Sequence, residues 1–250
     1  MAKPSPQSLT VVDSRLLSPH MRRLTLSGPS LAVFPPDQDG AYVKLIFSSV
    51  GRAKPRLRTY TVNRVDPQLQ QLEIDVVIHA EGGPAARWAA SASVGDRIEV
   101  AGPGPKKMLD PKADWFLIAG DMTTLPAIRA NLACLPLDAR GHLVLEVLTE
   151  ADKLALDLPL EQLPAQLQLH WLINPHPGKN RLFADYLEQL PWLDGAPAIW
   201  VAGELVEVLK ARTQLKSKPG VEASRRYISS YWQYGMTEDR HKVEKSRLLS

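Results

Sequence analysis

The chain has 250 residues, 44% of them hydrophobic and 23% charged, with a formal net charge of +3. That composition suits one large or two modest folded domains and excludes a disordered chain. The mild charge does not point to nucleic acid. The lone Cys134 excludes an internal disulfide, and also a protein-held iron–sulfur cluster, which needs about four Cys ligands.

A single cysteine fits a reducing cytoplasm. The opening Met1-Ala2-Lys3-Pro4-Ser5-Pro6 has no apolar core of the kind a secretory signal carries. No apolar run approaches the roughly 18 residues that span a membrane. A cytoplasmic protein without a membrane segment is therefore expected.

The first hundred residues read as strands. Stretches 7–13, 22–27, 41–49, 58–65, 72–79 and 97–100 are rich in Val, Ile, Leu, Thr and Tyr. Pro35-Pro36 and residues 37–40 mark a turn. Many strands, short turns and few helices predict a small antiparallel β-barrel. One helix interrupts it. Gly82-Gly83-Pro84 precedes Ala85-Ala86-Arg87-Trp88-Ala89-Ala90, which places Pro near the first helical position. Free N–H groups at such an end attract phosphate. The same helix also suits a plain barrel cap with Trp88 as its plug.

Within the barrel, Arg58-Thr59-Tyr60-Thr61 lies on one strand after a basic loop. Arg forks onto a pyrophosphate, Tyr covers a flat ring, and a Thr hydroxyl reaches a ring nitrogen. By themselves the four residues suit an ordinary strand better.

Gly102-Pro103-Gly104-Pro105 closes this half, giving domains 1–105 and 106–250. The second half reads as α/β with a parallel sheet. Trp115-Phe116-Leu117-Ile118-Ala119-Gly120 is continuously apolar, as a strand buried on both faces is. Asp121-Met122-Thr123-Thr124-Leu125-Pro126 opens a helix running to about Leu135. Further strands are predicted at 142–149, 167–173, 198–202 and 226–230, with helices at 181–190 and 204–216. No clear helix follows the second of these strands. Trp200-Val201-Ala202-Gly203-Glu204 is another buried strand ending in Gly at a helix start. Ligands in parallel sheets gather at the carboxyl ends of strands. Gly120 and Gly203 both fall there, either as phosphate seats or as plain tight connections. The six histidines are scattered, with no metal-ligand spacing.

Several stretches together resemble the siderophore-interacting proteins, ferric-siderophore reductases with a ferredoxin-reductase-like fold. They are Arg58-Thr59-Tyr60-Thr61; His79 with Gly83-Pro84-Ala85-Ala86-Arg87-Trp88-Ala89; Gly95-Asp96 leading to Gly102-Pro103; Gly120-Asp121-Met122-Thr123-Thr124-Leu125-Pro126-Ala127-Ile128; Trp200 to Glu204; and Tyr231-Trp232-Gln233-Tyr234-Gly235. Met122 departs from that pattern, where an acidic residue is usual. Gln233 stands where a basic residue is common.

The resemblance implies non-covalent FAD. Arg58 and the helix start at Gly83, Pro84, Ala85 and Ala86 would hold its pyrophosphate. Tyr60 would lie on the isoalloxazine and Thr61 near its N5 edge. Thr59, Val77, His79, Trp88, Thr123 and Trp232 belong to the same flavin set. Gly120, Asp121, Thr123, Gly203 and Glu204 would receive NAD(P)H, with a reduced ferredoxin as the variant donor. The substrate implied is a ferric siderophore, often anionic, met by Arg52, Lys54, Arg129 and Arg247 on a basic loop, a helix and a tail helix. The protein would hold no metal of its own and act as a monomer without nucleic-acid or membrane partners. A hypothesis of another class is a non-catalytic siderophore- or flavin-binding module. A nucleic-acid role for the basic stretches 52–58 and 210–226 is disfavoured, because they lack interleaved aromatics.

Overall fold

A computed structural model describes residues 6–48, 55–79 and 82–249. The chain divides into two compact units, Met1–Lys107 and Met108–Ser250.

The first unit holds strands β1 (Gln7–Ser18), β2 (Met21–Ser27), β3 (Tyr42–Phe47), β4 (Arg56–Asp66), β5 (Gln71–Val77) and β6 (Arg97–Gly104). They close into a barrel in the order β1-β2-β5-β4-β3-β6. Every pairing is antiparallel, and β1 against β6 seals the ring. Closure leaves no unpaired edge. The alternating pattern of β5 shows how sequence sets the inside: Leu72, Ile74 and Val76 are fully buried in the barrel core with Leu24, Leu26, Val43, Leu45 and Val62. Helix α1 (Pro84–Ser91) packs Ala85 and Ala89 inward, and Trp88 meets Phe47 edge-on at 6.0 Å. The capping role read from Trp88 is thus observed.

The stretch at Gly102 does not yet end the barrel, since β6 continues to Gly104. A Cβ on Gly104 would lie 2.0 Å from Cζ of Tyr42, whose ring covers this backbone. Only glycine permits that approach.

The second unit is a five-stranded parallel sheet ordered β11-β10-β7-β8-β9. Its strands are β7 (Trp115–Asp121), β8 (Arg140–Val147), β9 (Gln166–Ile173), β10 (Pro197–Glu204) and β11 (Arg226–Trp232). Helices α2 (Leu125–Leu132), α3 (Leu182–Gln189) and α4 (Leu205–Lys216) follow β7, β9 and β10, and α5 (Glu238–Leu249) ends the chain. As expected of two covered faces, every residue of β7 and β10 is buried. Trp115, Leu117 and Ala119 pack with Phe183 and Leu187 of α3 and Ala211 and Leu215 of α4. Phe116 packs on the opposite face. Only short 3-10 turns follow β8, in accord with the missing helix signal there. No helix among the described residues is long and apolar enough to cross a membrane.

Candidate functional site

In the barrel unit, β4 carries the strand motif. Register pairs Arg58 with Leu45, Thr59 with Lys44, Tyr60 with Val43 and Thr61 with Tyr42. Tyr60 is half-buried and packs on the barrel core, so part of its ring remains exposed. Thr61 is buried to 9% exposure, and its hydroxyl makes no hydrogen bond among the described residues. Arg58 is half-buried, with Nη1 donating to the Leu57 carbonyl at 2.7 Å. Phe47, the residue that Trp88 touches, pairs with Arg56, two positions before Arg58. Helix α1 is therefore anchored, through Trp88, near the start of the motif strand.

The first turn of α1 is built for an anion. Gly83 is the N-cap and offers no side-chain acceptor to the helix N–H groups; Pro84 follows it. Among the described residues nothing lies within 4 Å of a Cβ placed on Gly83. Gly82 makes the turn itself, donating to the His79 carbonyl at 3.0 Å while its own carbonyl accepts from Arg87 Nη1 at 2.6 Å. His79 is exposed and lies two residues beyond Val77, the end of β5, where the sequence placed it in the strand. The uncapped N–H groups, the open glycine, the Arg58 guanidinium and the unengaged Thr61 hydroxyl fit a pyrophosphate and a flat ring with polar edges.

The carboxyl edge of the parallel sheet is organised differently. Asp121 ends β7 and is 6% exposed. Its Oδ1 accepts from Thr123 N at 2.9 Å and Thr123 Oγ1 at 2.5 Å, and its Oδ2 accepts from Trp232 Nε1 at 2.6 Å. Glu204 ends β10; its Oε2 accepts from the N–H groups of Val206 and Glu207, and its Oε1 from that of Tyr234. Glu207 in turn accepts from Ala184 N at the start of α3. Asp152 bonds both the N–H and the hydroxyl of Thr149 after β8. The Thr123 N–H and hydroxyl face the Asp121 carboxyl and the N–H groups after Glu204 face its carboxyl, while Thr124 Oγ1 lies over Gly120 and Asp121 Oδ2 over Gly203. Thr123 and Trp232, expected beside the flavin, meet at Asp121.

Burial pushes the Asp121 carboxyl up, and Glu204 adds repulsion, against the bonds from Thr123 and Trp232. Glu207 is raised by burial as well. Glu146 of β8 sits beside Asp121 in register and accepts from Asn174 Nδ2 at 2.7 Å. Its burial, with repulsion from Asp121, Glu207 and Glu204, pushes its carboxyl up to about 8. Sequence reading missed Glu146, Asn174 and Glu207. The available signal was one glutamate inside the apolar run Leu143-Val144-Leu145-Glu146-Val147-Leu148.

Arg129 lies on α2, and its Nη1 donates to the carbonyls of Ala155 and Leu156 at 3.0 Å each. This links α2 to the turn after β8. Arg247 on α5 pairs with Glu244 at 2.8 Å and is largely exposed. Arg52 and Lys54 lie outside the described residues. Met122 is buried, so the position where an acidic residue was expected is part of the packing. Gln233 Oε1 is buried without a hydrogen-bond partner.

Two of the scattered histidines come together. His142 Nε2 meets the Pro191 carbonyl at 3.0 Å, which fixes a proton on Nε2. His142 Nδ1 then accepts from His170 Nε2 at 3.2 Å, and His170 Nδ1 accepts from the Tyr186 hydroxyl at 2.9 Å. The pair is a structural chain. Among the described residues no three metal-binding side chains gather.

Residues 113–235 match the profile of the siderophore-interacting protein family, and residues 10–57 and 49–107 that of the siderophore-interacting FAD-binding domain. The chain is 32% identical over 260 aligned positions to the ferric vibriobactin reductase ViuB of Vibrio cholerae, covering 96% of this chain and 94% of that one. It is similar to the solved structure of the siderophore-interacting protein SipS from Aeromonas hydrophila, with a TM-score of 0.85, 32% identity and 98% of each chain covered. A siderophore utilization protein from T. fusca gives a TM-score of 0.81 at 30% identity, covering 93% of this chain and 94% of that one.

Proposed function

The chain belongs to the siderophore-interacting protein family, with its FAD-binding barrel and ferredoxin-reductase-like fold, and from that premise we propose that it reduces chelated ferric iron in the cytoplasm. It is an oxidoreductase whose substrate is a ferric siderophore and whose product is ferrous iron, which the chelator holds weakly. The observation that carries this reading is the open start of α1. Among the described residues no side chain caps it, and nothing lies within 4 Å of a Cβ placed at Gly83.

Arg58 and the N–H groups after Gly83 would hold the FAD pyrophosphate, and the half-buried Tyr60 would lie against the isoalloxazine. Thr61 would donate to the ring edge, its hydroxyl making no hydrogen bond among the described residues. Bound FAD supplies the means to take up two electrons together and pass them on singly, as ferric iron requires. Each hydride from NAD(P)H reduces two ferric complexes and leaves NAD(P)+ and a proton. A reduced ferredoxin delivers the electrons one at a time instead. The iron arrives in its chelate, and cationic side chains such as Lys54 and Arg247 draw the anionic complex in.

The test is direct. Purified protein is expected to be yellow with a flavin spectrum. It is expected to reduce a ferric catecholate under anaerobic conditions, read with a ferrous-specific chelator. A protein that takes up no FAD overturns the reading. One that holds FAD yet reduces no ferric complex with NADPH, NADH or reduced ferredoxin is a binding module.

A further inference from the structure

A parallel sheet seats nucleotide phosphates where a strand turns into a helix, because the glycine there leaves room and the helix N–H groups point outward. Both conditions fail at this edge. A Cβ on Gly120 would lie 2.1 Å from Thr124 Oγ1, so the room over that glycine is filled by the next turn of the chain itself. The Thr124 hydroxyl is fixed there by donating to the Asp121 carbonyl at 2.7 Å. Over Gly203 lies Asp121 Oδ2, 2.8 Å from the position of a Cβ.

The N–H groups are taken too. Asp121 holds that of Thr123, and Glu204 holds those of Val206 and Glu207. Both carboxyls are nearly inaccessible, at 6% and 3% exposure, and Trp232 and Tyr234 bond their outer oxygens. The loop after β9 covers Glu204: a Cβ on Gly178 would lie 3.3 Å from Glu204 Cγ and 3.4 Å from Trp232 Cη2. The start of α3 is held by Glu207 and the turn after β8 by Asp152. The start of α1, in the other unit, has no side-chain acceptor.

We propose that the carboxyl edge of this sheet is closed to a nucleotide pyrophosphate, and that Asp121 and Glu204 are the residues that close it. A dianion brought to either turn meets a carboxyl group in place of N–H donors. Charged or neutral, that group keeps the donors and fills the space. NAD(P)H that reduces this protein does so without its pyrophosphate anchored at these turns, and Asp121 and Glu204 thereby act as determinants of donor choice. The proposal deepens the donor side of the functional reading and rests on it for that consequence alone, since nucleotide binding is measured without turnover.

The experiment is calorimetric titration of the full chain, as purified with its flavin, with NADP+ and with NAD+. The wild type is expected to show no saturable binding up to about 1 mM. Asp121→Ala and Glu204→Ala, which free the N–H groups, are expected to bind at least about tenfold more tightly. Asp121→Asn keeps the cap and the filled space and removes only the charge, so it is expected to stay closed like the wild type; Glu204→Ala carries the test where Ala at 121 does not fold. Anaerobic flavin reduction by NADPH should follow the same order. A micromolar dissociation constant in the wild type overturns the proposal, as does unchanged affinity in the folded Ala variants. Colourless protein that rejects both nucleotides, with the variants gaining affinity, leaves the closure standing and removes the flavin reading, so the two failures are distinct.

Discussion

Trp232 Nε1 donates to Asp121 Oδ2 at 2.6 Å, and so ties the end of β11 to the end of β7 across β10, the strand between them. The bond passes over Gly203. That residue has φ of +154°, and its missing Cβ leaves the room that Asp121 Oδ2 uses. Gly203→Ala sets a methyl group against a carboxylate held by three donors and strains the backbone as well. A loss of about 2–4 kcal/mol is expected. Urea unfolding would show it as a lower midpoint, accompanied by a changed Trp232 emission. An unchanged midpoint would mean that Asp121 moves aside freely.

Arg58 stands on β4, near whose start α1 is anchored through Trp88. Removing its guanidinium by Arg58→Ala takes a charge-assisted fork from a pyrophosphate. FAD affinity should fall by about 1.5–3 kcal/mol, or roughly 10- to 100-fold. Fluorescence titration of flavin-stripped protein measures this. Equal affinity in variant and wild type would move the pyrophosphate elsewhere.

Much of the fold was legible because its periods were clean. The alternation in Leu72-Glu73-Ile74-Asp75-Val76 marks a barrel strand with one wet face, and the unbroken apolar run from Trp115 to Gly120 marks a strand covered twice. What the sequence hid is set by neighbours that chain order does not give. β5 lies beside β2, so Arg23 meets Asp75 at a separation of 52 residues. β8 lies beside β9, so His142 meets His170. The motif residues Arg58 to Thr61 and Gly83 stood out by their types. Their counterparts Gly120 and Gly203 had the same signature of a glycine at a strand end, yet their space is filled by Thr124 and Asp121. Only the positions of those two oxygen-bearing side chains separate an open turn from a closed one. Arg129 likewise read as a free cation, and the carbonyls of Ala155 and Leu156 that hold it are 26 and 27 residues away.

Arg23 and Asp75 form a bidentate pair at 2.7 and 2.9 Å, with side chains 5% and 0% exposed. Asp75→Ala leaves a buried guanidinium with the Glu73 carboxylate at 3.7 Å. The expected cost is about 3–5 kcal/mol. Replacing both members with apolar residues should recover most of it. Denaturant midpoints of the single and double variants decide this; a double variant no better than the single would place the cost in packing.

His241 of α5 is 4% exposed and bonds Ser230 Oγ at 2.7 Å, while Lys245 one turn on donates to Ser229 Oγ and the Ser230 carbonyl. Burial, with Lys245 and Lys242 adding repulsion against the pull of Glu238, lowers the imidazole to about 4. The unfolded chain keeps an ordinary value near 6.5 and takes up the proton first. Stability from this contact is therefore full above about pH 6.5 and is lost as pH falls from there towards 4. The loss should be on the order of 1–3 kcal/mol. His170, lowered by burial and by His142, adds a loss of the same sign. His241→Gln should flatten part of the acid limb in a series of thermal melts; an identical limb would assign the acid loss elsewhere.

Glu146 gives the opposite slope. Its carboxyl, up to about 8 in the folded chain, holds a proton between about pH 4.5 and 8 that the unfolded chain has already released. Folding thus takes up a proton in that window, and stability falls as pH rises through it, levelling once the carboxyl ionises in both states. Glu146→Gln keeps an oxygen for Asn174 Nδ2 and removes the ionisation. The variant should match the wild type near pH 4–5 and exceed it by on the order of 2–4 kcal/mol near pH 9. Urea midpoints of both proteins across that range measure the difference. Parallel curves would show that the repulsion among Asp121, Glu146, Glu204 and Glu207 is relieved by their hydrogen bonds to Thr123, Trp232, Asn174 and the helix starts. A widening gap would show that this edge retains its charge conflict, held in place because Asp121 caps the turn leading into α2, Glu207 the start of α3 and Glu204 that of α4.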